Sequence, residues 1–170
     1  GAPEVTIEMR IKPQSLIAGT KLLAIKNGPF YFSINVNKLR IGILTGTTIY
    51  VNGNTSMNNN TWYHVATTYN GSVIRLYLNG VLDGEILQNG TFNGNGDFTI
   101  GRNNNGIVYG NPNGYFNGSI DEFRIYNKSL SAQQIMALYQ NKTNLIVSQE
   151  TTSGDVWFAN ITPNDGYGYG

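Results

Sequence analysis

The chain has 170 residues, with Lys+Arg 11 against Asp+Glu 10 and a charged share of only 12%. That near-neutral balance excludes a strong electrostatic draw toward nucleic acid or anionic lipid, and the absence of cysteine excludes a disulfide framework or a thiolate metal site. A hydrophobic share of 40% supports one folded domain, and no apolar run approaches the ~20 residues of a membrane-spanning helix.

The polar surface is built from Asn, Gly, Thr and Ser, a composition suited to an extracellular β protein. No signal-peptide pattern opens at Gly1, as expected of a mature or excised fragment. "VTIEMRIKP" alternates, with Val5, Ile7, Met9 and Ile11 on one face and Thr6, Glu8, Arg10 and Lys12 on the other, and Pro13 ends the strand. "PFYFSINV" and "KLRIGIL" read as strands joined by a tight turn near Asn37, and "TTIYVN" as a further strand. "YHVATTY" and "SVIRLYL" flank Asn70-Gly71, which predicts a two-residue hairpin loop. "VLDGEI" reads as a hairpin end whose Asp83 and Glu85 are solvated turn residues. "FTIGR" and "SIDEFRIYN" are two more strands. In the second, strict alternation places Asp121, Phe123 and Ile125 on one face and Ile120, Glu122, Arg124 and Tyr126 on the other. Asn-Gly pairs recur along the chain, and both residues accept positive φ at low cost. Such punctuation argues for an all-antiparallel sandwich.

One helix is expected in "LSAQQIMALYQ", at one end of the sandwich. Ser131 is a good N-cap, Gln134 completes a capping box, and Leu130 with Ile135 can form a hydrophobic staple. After about Asn144 the pattern changes to two strand-like runs, Leu145 to Val147 and Val156 to Ile161. This divides the chain into residues 1–144 and a strand extension, 145–170. Asn-X-Ser/Thr acceptors stand at Asn54, Asn59, Asn70, Asn89, Asn117, Asn127, Asn141 and Asn160, and they matter only in an exported protein.

"TIEMRIKP", "NTWYHVATTYNGSVIRLYLNGVLDG", "FTIGRN" and "YFNGSIDEFRIYNKSLSAQQIMALY" together resemble the laminin-G-like, concanavalin-A-like jelly roll of secreted and cell-surface proteins, over roughly residues 4 to 140. The resemblance implies an all-β fold: two antiparallel sheets face to face, one short C-terminal helix and loops at one edge. It also implies one or two strands upstream of "TIEMRIKP", which this chain lacks. "GDVWFANITPNDG" in the tail resembles a hairpin of the immunoglobulin-like repeats of archaeal and bacterial surface proteins. One expectation is that the tail completes a sheet, in its own chain or in a neighbour, through Trp157, Phe158 and Ile161; a domain boundary cut in an awkward place is the other reading.

Catalytic readings are weak. Glycosidases need two carboxylates across a cleft at roughly 5 to 10 Å, and the Glu-x-Asp-x-x-Glu strand pattern of the resembling hydrolases is absent. Asp121 and Glu122 are adjacent and would diverge on a strand. His64 has no evident nucleophile partner, so a strand histidine bonded to a neighbour or to water is the expectation. Trp62 and Tyr63 could form a sugar-stacking platform, but the resemblance implies that this pair begins a core strand, and packing is the expectation. The resemblance implies a structural calcium at Asp121 with backbone carbonyls; a carboxylate bonded to backbone is the alternative. In "RNNNGIVYGNPNGYFNG", Tyr109 and Tyr115 offer flat faces for sugar rings, and Asn103, Asn104, Asn111 and Asn113 offer amides; a solvated, turn-rich loop is the other reading. The expected function is non-catalytic extracellular recognition, by adhesion or glycan binding, with a glycan or cell-surface protein as partner. The alternative is a structural subunit of an extracellular filament or surface layer, assembled by strand addition through the tail.

Overall fold

The computed structural model describes residues 4–16, 19–26, 30–45, 47–90, 98–102 and 114–142, with Ser153 and Val156. The tail residues Trp157, Phe158, Asn160 and Ile161 and the loop residues Asn103, Asn104, Tyr109, Asn111 and Asn113 lie outside them.

Ten strands run in chain order: β1 (Val5–Pro13), β2 (Thr20–Lys26), β3 (Phe30–Asn35), β4 (Lys38–Thr45), β5 (Thr47–Ser56), β6 (Tyr63–Tyr69), β7 (Val73–Leu78), β8 (Val81–Leu87), β9 (Phe98–Ile100) and β10 (Gly118–Tyr126); one helix, α1 (Ala132–Tyr139), follows. They form two five-stranded antiparallel sheets. The first has the order β10-β1-β6-β7-β8 and the second β5-β4-β3-β2-β9. This is the all-β jelly-roll sandwich that the resemblance implies.

Strand alternation builds the core. Ile7, Met9, Ile11, Val65, Ile74 and Leu76 point inward from the first sheet, and Phe30, Phe32, Ile34, Leu39, Ile41 and Ile43 from the second. Each such side chain contributes about 1.5–3 kcal/mol by leaving water.

Two turns follow the hairpin chemistry. Val36 (φ 46) and Asn37 (φ 55) join β3 to β4, and Asn79 (φ 50) and Gly80 (φ 79) join β7 to β8. Positive φ at both central residues matches the right-handed twist of the strands. The Asn70-Gly71 loop differs from expectation. Residues 70–72 form the connection, and Asn70 Oδ1 accepts from the backbone N–H of Ser72 (3.1 Å) and Val73 (2.8 Å). The asparagine side chain thus organises a longer loop, in which Gly71 takes φ 87.

Three further corrections share one cause: periodicity does not see the neighbouring element. β2 was not expected, because its apolar run does not alternate; a bulge between Leu22 and Ala24 buries both faces. "VLDGEI" is strand β8, and Asp83 is buried rather than solvated. In β10 a bulge sets Glu8 opposite Arg124 and Arg10 opposite Asp121, with Glu122 at φ 49. Ile120 and Phe123, assigned to opposite faces by alternation, therefore both pack on the core.

The helix is read correctly, and Met136 and Tyr139 reach Gly80 in the β7–β8 turn at one end of the first sheet. Ser131 caps it and the full capping box with Gln134 forms. It lies across the outer face of the first sheet, where Leu130 and Ile135 meet Ala66 and Tyr77 in a second core. The entry to the helix is pinned to β1: Thr6 Oγ1 donates to the Lys128 carbonyl (2.8 Å) and accepts from Leu130 N–H (2.9 Å).

Candidate functional site

Beneath α1 the outward residues of β1, β6 and β10 form a buried ionic cluster. Glu8 is 1% exposed and His64 2%. His64 Nε2 lies 2.7 Å from Glu8 Oε2, while Glu8 Oε1 accepts from Arg124 (2.8 Å) and from the Tyr126 hydroxyl (3.1 Å). Burial alone would raise the Glu8 carboxyl. The hydrogen bonds and charges of His64 and Arg124 outweigh burial and hold it below its ordinary value. Burial and the Glu8 charge push the Tyr126 phenol up to about 12. Arg10 extends the cluster: it pairs with Glu122 and donates to the Tyr139 carbonyl (3.1 Å) and to Asn141 Oδ1 (2.7 Å). It thereby satisfies acceptors at the helix C-terminus.

A histidine against a buried carboxylate is one half of a catalytic constellation. Here the other ring nitrogen, Nδ1, is itself buried and has no partner among the described residues, so a substrate has no access to it. His64 is part of the architecture, as its place on a strand implies. Its Glu8 partner, 56 positions away, was invisible in the sequence.

Asp83 makes a second buried polar contact, between the sheets. Its Oδ1 accepts from Thr55 N–H (2.9 Å), and its carbonyl accepts from the Asn54 amide (2.8 Å). The side chain sits against Gly53, where a Cβ would collide with Asp83 Oδ2. This contact ties β8 to β5, the edge strands of the two sheets.

The two most exposed aromatics among the described residues lie elsewhere. Tyr115 is 58% exposed and Trp62 is 47% exposed. Trp62 thus departs from the core-strand expectation, while Tyr63 packs against the core. Both exposed residues sit on loops braced by one segment, residues 13–16. Asn60 N–H donates to the Pro13 carbonyl (2.6 Å) and Gln14 N–H to the Asn117 carbonyl (2.9 Å), and Asn59 Oδ1 accepts from Leu16 N–H (2.9 Å). Trp62 and Tyr115 therefore share one rim of the sandwich, and the Tyr115 loop borders the second sheet through Leu22 N–H to the Gly114 carbonyl (2.9 Å).

The outer face of the second sheet is a grid. Tyr31, Gly42 and Tyr50 form one row across β3, β4 and β5, and Ser33, Arg40 and Asn52 the next. With no side chain at Gly42, the Tyr50 ring lies over it; a Cβ there would be 2.7 Å from the ring. Arg40 stands 4.7 Å from the Tyr50 ring centroid and donates from Nε to Asn52 Oδ1 (2.9 Å).

Asp121 is exposed, and its Oδ1 accepts from Glu122 N–H (2.8 Å). Its other oxygen is open to a cation, whereas neighbouring Glu122 is occupied by Arg10 and Arg124. Asp121 could hold a calcium ion only with carbonyls and water completing the 6–8 oxygens; among the described residues no group of three His, Asp or Glu clusters for a metal. Of the acceptor asparagines, Asn54, Asn59, Asn70 and Asn141 are exposed and already bonded to backbone or to Arg10. Asn89, Asn117 and Asn127 are exposed. No described helix is long and apolar enough to cross a membrane.

A family model described as the concanavalin A-like lectin/glucanases superfamily matches residues 2–136. Sushi, von Willebrand factor type A, EGF and pentraxin domain-containing protein 1 of Rattus norvegicus is 30% identical over 129 residues, 65% of this chain but 4% of that protein's length. Among solved structures, the IT-sialidase CBM40 of Ruminococcus gnavus has a TM-score of 0.67 at 19% identity, over 82% of this chain and 84% of that one. Domain 4 of AbnA, a GH43 extracellular arabinanase from Geobacillus stearothermophilus solved with arabinotriose, has a TM-score of 0.63 at 20% identity, covering 82% of this chain and 68% of that one. The heptameric SAP-like pentraxin of Limulus polyphemus has 0.61 at 18%, covering 81% and 71%. At these identities the likeness is one of fold.

Proposed function

The chain belongs to the concanavalin A-like lectin/glucanases superfamily, and from that membership we propose that it is a non-catalytic, extracellular glycan-recognition module of a cell-surface protein. The observation that carries the reading is the rim holding Trp62 and Tyr115, 47% and 58% exposed on loops that are both braced by residues 13–16. Large aromatics kept in water on a rigid scaffold provide flat apolar faces for sugar rings, and nearby asparagine amides fix orientation. Domain 4 of AbnA, solved with arabinotriose, carries the same fold and lends support. The non-catalytic reading is supported by the seclusion of His64 and Glu8.

The reading includes a structural calcium drawing on Asp121. A glycan array, run with calcium and with chelator, tests it. We expect a sugar to be retained and bound about tenfold more weakly by Trp62→Ala and Tyr115→Ala, each with an unchanged melting temperature. An array without any retained sugar overturns glycan recognition. A melting temperature indifferent to the chelator removes the calcium.

The second reading, assembly through residues 145–170, draws support from an open groove of ≈ 490 Å³ between α1 and the β7–β8 turn. It is lined by Val81, Met136, Ala137 and Lys142, the last described residue before the tail.

A further inference from the structure

Two of the Asn-X-Ser/Thr acceptors stand at the two ends of one strand. Asn117-Gly118-Ser119 opens β10, and Asn127-Lys128-Ser129 follows it directly. Asn117 and Asn127 are both exposed, and neither side-chain amide makes a hydrogen bond among the described residues. Other acceptors are held by the fold. The Asn54 amide nitrogen donates to the Asp83 carbonyl (2.8 Å), and Asn59, Asn70 and Asn141 each give Oδ1 to a backbone N–H or to Arg10. Asn89 is exposed, but its partner hydroxyl on Thr91 lies outside the described residues. N-glycosylation consumes the amide nitrogen. Nδ2 attacks the anomeric carbon of a lipid-phosphate-activated oligosaccharide. A C–N bond forms, the C–O bond to phosphate breaks, its electron pair leaves with the phosphate, and the amide sheds one proton. An amide committed to the fold is withheld from that exchange, whereas one standing in water is available.

β10 is also an edge. β1 pairs with one side of it, and among the described residues no strand pairs with the other. It has 9 residues, a length of about 30 Å, and its Ile125 is 50% exposed. An unpaired edge of this kind is a template for a strand from another molecule. The bulge that puts Glu122 at φ 49 interrupts the edge near its middle. The segments on either side of the bulge keep ordinary strand geometry and lead to Asn117 and Asn127. A glycan is bulky and well solvated. One at each end bars a second chain from lying along the strand at the ~4.8 Å that pairing requires.

We propose that Asn117 and Asn127 are N-glycan attachment sites, and that the two glycans guard the free edge of β10 against pairing with another molecule. The proposal rests on the extracellular part of the reading above, since the modification belongs to exported proteins. It is independent of what the domain recognises.

The full chain is secreted from a host whose export route attaches N-glycans, and its intact mass is read before and after an N-glycan-releasing amidase. Peptide mass spectrometry then locates each modified position. We expect glycans at Asn117 and Asn127, and Asn117→Gln and Asn127→Gln should each lose the mass of one glycan. In light scattering the double variant should gain at least about twofold in particle mass, the step from monomer to dimer. Adding Ile125→Lys, which places a charge on the same edge, should return it to the monomer. Assembly through the tail would raise the mass of parent and variant alike, so the difference between them isolates β10. A parent without sugar at both positions overturns the proposal, and so does equal occupancy at Asn54, Asn59, Asn70 and Asn141. A double variant as monomeric as the parent overturns the guarding role. A blank glycan array removes recognition and not these sites, so the two readings fail separately.

Discussion

Glu8 is the residue on which the interior of the first sheet's outer layer turns. A carboxylate that is 1% exposed is tolerable only because three donors surround it. Glu8→Gln keeps the shape and removes the charge, leaving Arg124 and His64 beneath the helix without their anion. Breaking a buried pair in this way costs about 3–5 kcal/mol, readable as a fall in the urea midpoint. The acid limb carries a second signature. The folded Glu8 carboxyl lies below its ordinary value of 4.5, so its contribution to stability is complete above that pH and is lost as pH falls toward the folded value. The variant should therefore show a shallower loss of stability on acidification below about pH 4.5 than the parent. An unchanged acid slope would mean that Glu8 is not ionised in the folded protein.

At the scale of elements, the seams between strands and helix decide what each side chain does. The helix is locally encoded: Ser131→Ala removes the cap and should cost about 1 kcal/mol, measured by thermal melting. The β5–β8 seam is not locally encoded. Gly53 has no side chain because Asp83, from the other sheet, occupies that space. Gly53→Ala is expected to destabilise by about 1–3 kcal/mol through overpacking. Combining it with Asp83→Ala should remove the clash, so the double variant costs less than the sum of the singles. Strict additivity would contradict the contact. The bulge at Glu122 makes the same point for β10. One extra residue moves Phe123 to the face of Ile120 and frees Glu122 for Arg10 and Arg124.

Across the whole molecule, the two sheets have different surfaces. The first is covered by a helix pinned through an ionic cluster; the second presents aromatics and cations without acids. The assembly reading is tested at this scale too. If residues 145–170 join neighbouring copies, light scattering of the full chain will show multimers and the chain ending at residue 144 will be monomeric. A monomer in both cases rules out assembly through the tail.

Much of this was legible in advance. Alternation in β1, β3, β4, β6 and β7, paired turn residues at Asn37 and the capping box at Ser131 are local, and local chemistry is written in the order of residues. The family resemblance supplied the sandwich itself. Tertiary structure alone decided the rest. It buried Glu8 against His64 and Asp83 against Gly53, left Trp62 in water, and set Tyr31, Gly42 and Tyr50 in one row with Arg40 in the next. Each of these depends on residues that are distant in the chain and adjacent only after strand pairing. A sequence displays periodicity along itself, whereas a site is made of contacts across it.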